Sequence, residues 1–193
     1  MCSERLLRRY GLDPIEDIQV LAPMYRGETG ASNLNQVLQQ RLNSGGAGWK
    51  RGGTEYRVGD KVMQVRNNYD KGVFNGDVGR LRSIDAENQV VAVQFEESVE
   101  YEFSELDELV LAYAMTVHKS QGSEYRAVVM PLTTQHYLML QRNLLYTAIT
   151  RARELVVVVG TKKALGIAVR NASTAERHTA LSQRLQAALK GSG

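Results

Sequence analysis

Three segments of the sequence carry residue types that could bind phosphate groups, and the first surrounds Arg26. The run Asp17–Ala22 is typical of a buried strand, and Pro23 ends it shortly before this arginine. Parallel α/β sheets bind ligands at the edge where their strands end, and a guanidinium group can form paired hydrogen bonds with phosphate oxygens. The segment therefore predicts a phosphate contact by Arg26, with a solvated loop arginine as the alternative.

The second segment, residues 116–125, gathers a hydroxyl, an imidazole and an ammonium group within a few positions. Thr116, His118 and Lys119 are side chains that suit contacts to a nucleic-acid backbone. Gly122 has no side chain, so its backbone amide could approach a phosphate closely. Taken alone, His118 would more often be a packed or capping residue. It is the cluster as a whole that predicts nucleic-acid contact.

The third segment, residues 145–155, places Arg151 and Arg153 at the end of a predicted helix, Tyr137–Arg153. Residues two positions apart do not share a helix face, so the two arginines are expected to have different partners. One interpretation is that they neutralise the dipole at the end of the helix. The other is an arginine finger, which stabilises the negative charge of a γ-phosphate during its transfer.

The sequence as given lacks the motifs that would let it hydrolyse a nucleotide by itself. It contains no G-x-x-x-x-G-K-[ST] segment to bind β- and γ-phosphates, and no predicted strand ends in the paired acids of a magnesium site. Its three histidines and one cysteine are not spaced as zinc ligands. We therefore expect no metal site of its own and no nucleotide hydrolysis by this stretch alone.

The composition is that of a globular protein with a slight positive charge. Hydrophobic residues make up 43% of the 193 residues and charged residues 23%, and the net charge is +3. No apolar run approaches the length of about 20 residues that a membrane-spanning helix needs. The single cysteine, Cys2, excludes an internal disulfide. We expect a cytoplasmic protein in which any nucleic-acid surface is confined to a local patch.

The hydrophobic pattern divides the chain into two kinds of structure. Up to residue 42 it predicts a short helix within residues 1–13, then the buried strand, a loop and a second helix with Ser32 as its N-cap. A breaker cluster at residues 43–53 is interpreted as a linker. Short runs of alternating apolar residues between 58 and 95 then predict a small closed barrel of the SH3-like or OB-like kind.

From Leu109 onward the alternation of strand and helix resumes. The predicted elements are strands Leu109–Ala114 and Ala127–Leu132, a central strand Leu155–Val159, and helices Tyr137–Arg153, Lys162–Val169 and Ala175–Leu189. We therefore expect one α/β unit, a parallel sheet with helices on both faces, interrupted by the barrel. Its parts would span residues 1–53 and 107–193, with the barrel at 54–106.

The three segments also resemble known motifs. Residues 146–153, YTAITRAR, resemble motif VI of superfamily 1 helicases, and residues 117–124, VHKSQGSE, resemble motif V. Residues 22–35 look like motif IV of the RecD-like branch, and the region 62–79 is similar to the SH3-like subdomain that RecD-type 5′-to-3′ helicases carry between motifs IV and V. Because the order agrees too, the chain resembles the C-terminal half of a RecD-like DNA helicase, the exodeoxyribonuclease V alpha subunit family.

The resemblance implies that the α/β unit is a RecA-like motor domain, the second of two. It would close over ATP with Mg²⁺, which would be held mainly by an N-terminal RecA-like domain absent from the sequence given. Arg151 would be the arginine finger and Arg26 a second ligand of the γ-phosphate. Gly122 and Glu124 would lie at the nucleotide, with Glu124 toward the ribose.

The resemblance also implies single-stranded DNA as a partner, and subunits of a nuclease complex as further candidates. Thr116 and His118 would contact the strand, together with Lys119. In the barrel, the candidates for strand contact are Arg66, Asn67, Asn68, Lys71, Phe74 and Asn75. The dipeptide Asn75-Gly76 is equally typical of a simple hairpin turn. Trp49 could stack on a base or pack as a surface aromatic.

Two alternatives remain open at the level of sequence. In the first, the chain is a non-enzymatic nucleic-acid-binding module in which the barrel binds and the α/β unit is a scaffold. In the second, the motor acts for another client, because conjugative relaxase-helicases, Pif1-like helicases and viral RNA helicases share these motifs. The wording of residues 24–27 and 121–125 favours the RecD-like branch.

Overall fold

The computed structural model describes residues 5–45 and 48–172. The elements in chain order are α1 (Arg5–Tyr10), β1 (Ile18–Ala22), α2 (Ala31–Leu42), β2 (Gly48–Arg51), β3 (Thr54–Arg57), β4 (Lys61–Gln64), β5 (Val78–Asp85), β6 (Val90–Gln94), β7 (Ser98–Glu102), β8 (Leu109–Leu111), β9 (Ala114–Thr116), β10 (Tyr125–Leu132), α3 (Arg142–Ile149), β11 (Ala152–Gly160) and α4 (Lys162–Arg170). Two 3₁₀ helices, Phe103–Glu108 and Thr134–Met139, precede β8 and α3. The predicted helix Ala175–Leu189 lies outside the described residues.

A parallel sheet of four strands in the order β11-β10-β1-β9 forms the α/β unit. Alternate residues of β1 and β10 point to opposite faces, so each face has its own core. Ile18 and Ala127 pack with α1 and α2 on one face, while Val128 and Met130 pack with α3 and α4 on the other. The predicted parallel sheet with helices on both faces is confirmed.

The predicted barrel is an antiparallel sheet of five strands, β7-β6-β5-β4-β8, together with the hairpin β2–β3. We call these strands, with the 3₁₀ helix before β8, the barrel unit. Val62, Leu81, Val91 and Tyr101 are fully buried in its core, as their alternating positions in the sequence require. Tyr56 of the hairpin joins this core and donates a hydrogen bond to the carbonyl oxygen of Leu109 at 2.7 Å.

The segment Leu109–Ala114 is two strands and not the single strand predicted. β8 pairs with β4 in the barrel unit, whereas β9 pairs with β1 in the parallel sheet. Between them Ala112 and Tyr113 are buried, and Gln19 Nε2 donates to both of their carbonyl oxygens. The apolar pattern runs through the switch without glycine or proline, so it carries no signal of the change. The division of the chain at residues 53 and 106 stays a prediction, and β8 extends the sheet of the barrel unit past residue 106.

A buried carboxylate, that of Asp60, joins the barrel unit to the parallel sheet. It accepts hydrogen bonds from Gln39 Nε2 (2.6 Å) and Asn43 Nδ2 (2.8 Å) at the end of α2, and from the Tyr113 hydroxyl (2.8 Å). The backbone N–H of Arg57 donates to it as well, at 2.7 Å. A buried charge is stable only when it is fully hydrogen-bonded, and these four donors satisfy that condition. The contacts therefore fix the barrel unit against α2.

Other predicted elements differ in their bounds. The helix expected over Tyr137–Arg153 is a 3₁₀ helix followed by the shorter α3, and β11 begins at Ala152. The strand predicted as central, β11, pairs only with β10 among the described strands and lies at an edge.

Near the start of the chain, Ser32 is not the N-cap of α2; Gly30 is. A Cβ atom at position 30 would lie 2.4 Å from the Arg26 carbonyl oxygen, so this N-cap position requires glycine. Part of the expected linker 43–53 forms β2. Within the described ranges, the helices are too short and too polar to cross a membrane.

Candidate nucleotide and nucleic-acid sites

The parallel direction of the four strands sorts the candidate residues into two groups. Arg26 follows the end of β1, and Thr116 and His118 lie at and just beyond the end of β9, so these three occupy the carboxyl edge of the sheet. Glu124 and Arg151 immediately precede β10 and β11 and occupy the amino edge. The two edges are separated by the length of β1, about 16 Å for five residues.

At the amino edge, Arg151 is half-buried beneath the turn that carries Gly122. Its Nη1 donates to the carbonyl oxygen of Ser123 at 3.3 Å, and its own carbonyl oxygen accepts from Tyr125 N–H at 2.8 Å. The Nε atom of Arg151 is buried and has no hydrogen-bond partner among the described residues. An unsatisfied buried donor is unfavourable, so this guanidinium is suited to an anion that supplies the missing acceptor.

The turn above Arg151 is exposed. Gly122 has a φ of +89°, which favours glycine, and a side chain added there would meet no described atom within 4 Å. Glu124 is also exposed. Burial raises the pKa of the Tyr125 phenol, so Tyr125 stays neutral beside the arginine. The structure thus brings Gly122, Glu124 and Arg151 together at one edge with an accessible backbone.

The carboxyl edge holds a compact loop between β1 and α2. The N–H groups of Ala31 and Ser32 donate to the carbonyl oxygens of Met24 and Tyr25, each at 3.0 Å, and leave Arg26 exposed. His136, buried in the second 3₁₀ helix, lies 2.7 Å from the Thr29 hydroxyl through its Nε2 atom. Burial lowers the pKa of His136. The loop that carries Arg26 is therefore held by its own backbone hydrogen bonds and by the contact of Thr29 with His136, which follows β10.

The structure does not bring Arg26 and Arg151 together. One follows a strand and the other precedes a strand of the same parallel sheet, so they face opposite edges. The joint contact of both arginines with a γ-phosphate, which the resemblance implies, stays a prediction. Arg26 instead shares its edge with Thr116, His118 and Lys119.

The barrel candidates fall into engaged and accessible residues. Lys71 pairs with Glu105 and donates to the Glu100 carbonyl oxygen, and Asn68 Nδ2 donates to Glu108. These two side chains hold the barrel unit together. Arg66 pairs with Asp107 at 3.1 Å, but its side chain is 63% exposed and remains available to solvent.

The accessible residues lie in the loop 66–77 between β4 and β5. Phe74 and Tyr69 are exposed and meet edge to face, with ring centroids 5.9 Å apart. Asn67 Oδ1 accepts a hydrogen bond from the Asn75 N–H at 2.9 Å, which fixes the loop. Tyr69 was not among the sequence candidates, although an exposed aromatic between two asparagine-rich turns is a usable signal. Trp49 stacks on Phe103 at 4.2 Å and is thus a packed surface aromatic.

A cleft of about 700 Å³ opens beside the carboxyl edge, between α2 and the hairpin β2–β3 on one side and β4, β8 and β9 on the other. Tyr25, Thr116 and Lys119 line it, together with Gln36 and Lys50, which sequence reasoning missed. A smaller cavity of about 210 Å³ adjoins His118. In the part of the chain that the structure describes, no group of three or more histidine, cysteine or acidic side chains could hold a metal ion.

Comparison with known proteins identifies both units. Residues 34–95 match the family model of the SH3 domain of ATP-dependent RecD-like DNA helicases, and residues 111–159 match that of the UvrD-like helicase C-terminal domain. The chain is 42% identical to the ATP-dependent RecD2 DNA helicase of Deinococcus radiodurans over 88% of its own length and 24% of the relative's. It is 30% identical to the RecBCD enzyme subunit RecD of Mycobacterium tuberculosis, over 91% of this chain and 30% of that one.

Solved structures agree on the fold. The Pif1 helicase from Bacteroides in complex with ADP-AlF3 and ssDNA superimposes with a TM-score of 0.61 at 16% identity, over 100% of this chain and 49% of that chain. A structure of two coordinating Pif1 helicases at forked dsDNA gives 0.56 at 17% identity, over 92% and 45%. The chain spans less than a third of the length of the two curated relatives described above. It belongs to the RecD-like DNA helicases, of which it carries the SH3 domain and the UvrD-like C-terminal domain.

Proposed function

We propose that this chain is the part of an ATP-dependent 5′-to-3′ DNA helicase that senses the nucleotide at one edge of its sheet and holds single-stranded DNA at the other. The observation that carries the proposal is the buried Nε atom of Arg151, which lacks a partner among the described residues. A phosphate oxygen is the acceptor that a half-buried arginine at an accessible edge would take.

At the amino edge, Arg151 acts as the arginine finger, with Gly122 and Glu124 beside the nucleotide. ATP with Mg²⁺, held mainly by a further RecA-like domain of the native chain, supplies the γ-phosphate that this edge would meet. Arg151 places positive charge where negative charge develops, and its bond to the Ser123 carbonyl oxygen orients it. The open backbone at Gly122 leaves room for the nucleotide to approach.

At the carboxyl edge, Thr116, His118 and Lys119 contact the DNA backbone. The position of Arg26 on this edge supports a DNA contact over a γ-phosphate contact for that residue. The accessible residues of the barrel unit extend the same surface: Arg66, Asn67, Tyr69, Phe74 and Asn75. Asn68 and Lys71 stabilise the loop that carries them, through their contacts with Glu108 and Glu105.

Residues 117–124 give the two edges a physical connection. The segment leaves β9 at the carboxyl edge and reaches β10 at the amino edge, with turns closed by Lys119 N–H to Thr116 O (2.9 Å) and Ser123 N–H to Ser120 O (3.1 Å). A change in the Arg151–Ser123 contact would therefore alter the backbone that presents His118 and Lys119. The segment would thus couple nucleotide state to grip on the strand.

The mycobacterial relative is named as a subunit of the RecBCD enzyme. We therefore include a multi-subunit nuclease assembly and a cytoplasmic location in the proposal.

The decisive experiment measures ATPase activity of the full-length native protein with and without single-stranded DNA. Arg151→Ala should lower DNA-stimulated turnover by a factor on the order of 10³ or more, as the loss of an arginine finger does.

Arg153→Ala is the matched control, because Arg153 is exposed and lies only two residues after Arg151 in the sequence. It should leave turnover nearly unchanged, and this chain by itself should hydrolyse no ATP. ATP turnover by the full-length protein that is unchanged in Arg151→Ala and is not stimulated by DNA would instead support the alternative in which this chain is a non-enzymatic nucleic-acid-binding module.

A further inference from the structure

The cleft beside the carboxyl edge has the chemistry of a site for nucleobases, which the motif residues alone do not provide. Its floor is apolar and includes Met63, Val110 and Met115. Its volume of about 700 Å³ falls within the usual range of ligand sites, about 300–1,000 Å³. An apolar floor of this size favours a flat, weakly hydrated group over a phosphate.

One wall of the cleft is a row of amides on α2. Asn35 and Gln39 are committed to structure, since Asn35 pairs with the backbone of Ala114 and Gln39 bonds to Asp60. Gln36 and Gln40 are exposed, lie one helical turn apart and line the cleft. Uncharged amides that donate and accept at once are the side chains that pair with base edges.

The mouth of the cleft carries an exposed aromatic ring and positive charge. Tyr25 is 59% exposed and lines the cleft, as does Thr116. Lys119 lies on the β9 side and Lys50 on the hairpin, whereas the carboxylate of Glu55 is occupied by Arg57 at 2.7 Å. An apolar floor, amide wall and cationic rim together match a single strand, which offers bases and phosphates in alternation.

We propose that this cleft binds one or more unstacked nucleobases of single-stranded DNA, with Tyr25 as the stacking ring and Gln36 and Gln40 at the base edges. The inference rests on the proposed function, which brings the strand to Thr116 and Lys119 at the cleft's mouth. It differs from that function because it assigns contact with bases in addition to contact with the backbone.

The test measures binding of a fluorescein-labelled single-stranded oligonucleotide to the full-length protein, beside an oligonucleotide of equal length with a central run of abasic sites. Wild type should prefer the intact strand. Tyr25→Ala should lower affinity for the intact strand about 5- to 140-fold, the equivalent of the 1–3 kcal/mol of one stacked base, and leave abasic binding nearly unchanged. Tyr25→Phe keeps the ring and should retain the preference.

A charge placed in the cleft provides the second arm. Gln36→Glu adds a negative charge inside the cleft, and Val37→Glu adds the same charge one residue along on the exposed face of the same helix. Only the first should weaken intact-strand binding markedly. Equal effects of the two charges, or equal losses with intact and abasic strands for Tyr25→Ala, would overturn the base site. Absence of any strand binding by wild type would overturn the proposed function as well.

Discussion

Lys119 Nζ donates a hydrogen bond to Asn75 Oδ1 across 3.2 Å, and so joins the segment after β9 to the loop 66–77 of the barrel unit. Both residues are proposed DNA ligands, and both are exposed. The contact aligns the two surfaces in the absence of DNA. A phosphate that approaches Lys119 would compete with an uncharged amide, which is the weaker acceptor.

Replacement of Lys119 by alanine should therefore weaken DNA binding through loss of charge. The logarithm of the affinity decreases with the logarithm of the salt concentration. We expect the magnitude of this slope to decrease by about 0.7, the value for one phosphate contact on a single strand. Asn75→Ala removes no charge and should leave that slope unchanged. Lys163→Ala is the control. This exposed lysine lies on α4, which follows β11, and β11 and β9 are the two opposite edge strands of the sheet. A slope equal in Lys119→Ala and wild type would exclude a phosphate contact by Lys119.

The buried junction at Asp60 makes a prediction about stability. Asp60→Asn keeps the size of the side chain but turns an NH₂ group toward donors from Gln39, Asn43 and Tyr113, so at least one of them loses its acceptor. We expect the free energy of unfolding to fall by about 3 kcal/mol, the upper range for a bond to a charged group. Urea denaturation measures this directly. Asp70→Asn, at an exposed position, is the control, and a difference below about 1 kcal/mol between the variants would contradict the assigned role.

The fold was predictable where periodicity reports burial. The valine run that ends β11 and the alternation of Val91 and Val93 in β6 each identify a strand, and the sheets follow from them. The switch at Ala112–Tyr113 was not predictable, because one continuous apolar run serves both sheets. The sequence Gly59-Asp60 is typical of a turn, so the burial of Asp60 was not predictable, because three of its four donors, from Gln39, Asn43 and Tyr113, are distant in the chain.

The candidate site was predictable by residue type more than by placement. The sequence correctly indicated that Arg26 follows a strand. It placed Arg151 and Arg153 at the end of a helix, whereas α3 ends at Ile149, Arg151 immediately precedes β11 and Arg153 lies in β11. Once both strands are parallel members of one sheet, these positions put the arginines at opposite edges. Tyr25, Gln36 and Lys50 could not be found from sequence, because the cleft that they line forms only when α2 and the hairpin β2–β3 pack beside β9.

His136 connects pH to the loop that carries Arg26. The Thr133 N–H group lies 3.4 Å from Nδ1, so Nε2 carries the proton and donates to Thr29. Burial lowers the pKa of His136 in the folded protein below the ordinary value of 6.5. The folded state therefore stays neutral while the unfolded chain takes up a proton, and the contribution of His136 to stability is complete above about pH 6.5 and declines as the pH falls through that value.

We expect the free energy of unfolding to fall between pH 7.5 and 5.5, and expect His136→Gln to reduce that fall because glutamine does not titrate. Urea denaturation at both pH values measures the difference, and His118→Gln serves as the control, since His118 is exposed. In the full-length protein, His136→Gln should loosen the loop between β1 and α2 and weaken strand binding by Arg26 at pH 7.5. A pH dependence that is identical in His136→Gln and His118→Gln would show that the buried imidazole is not the group that titrates.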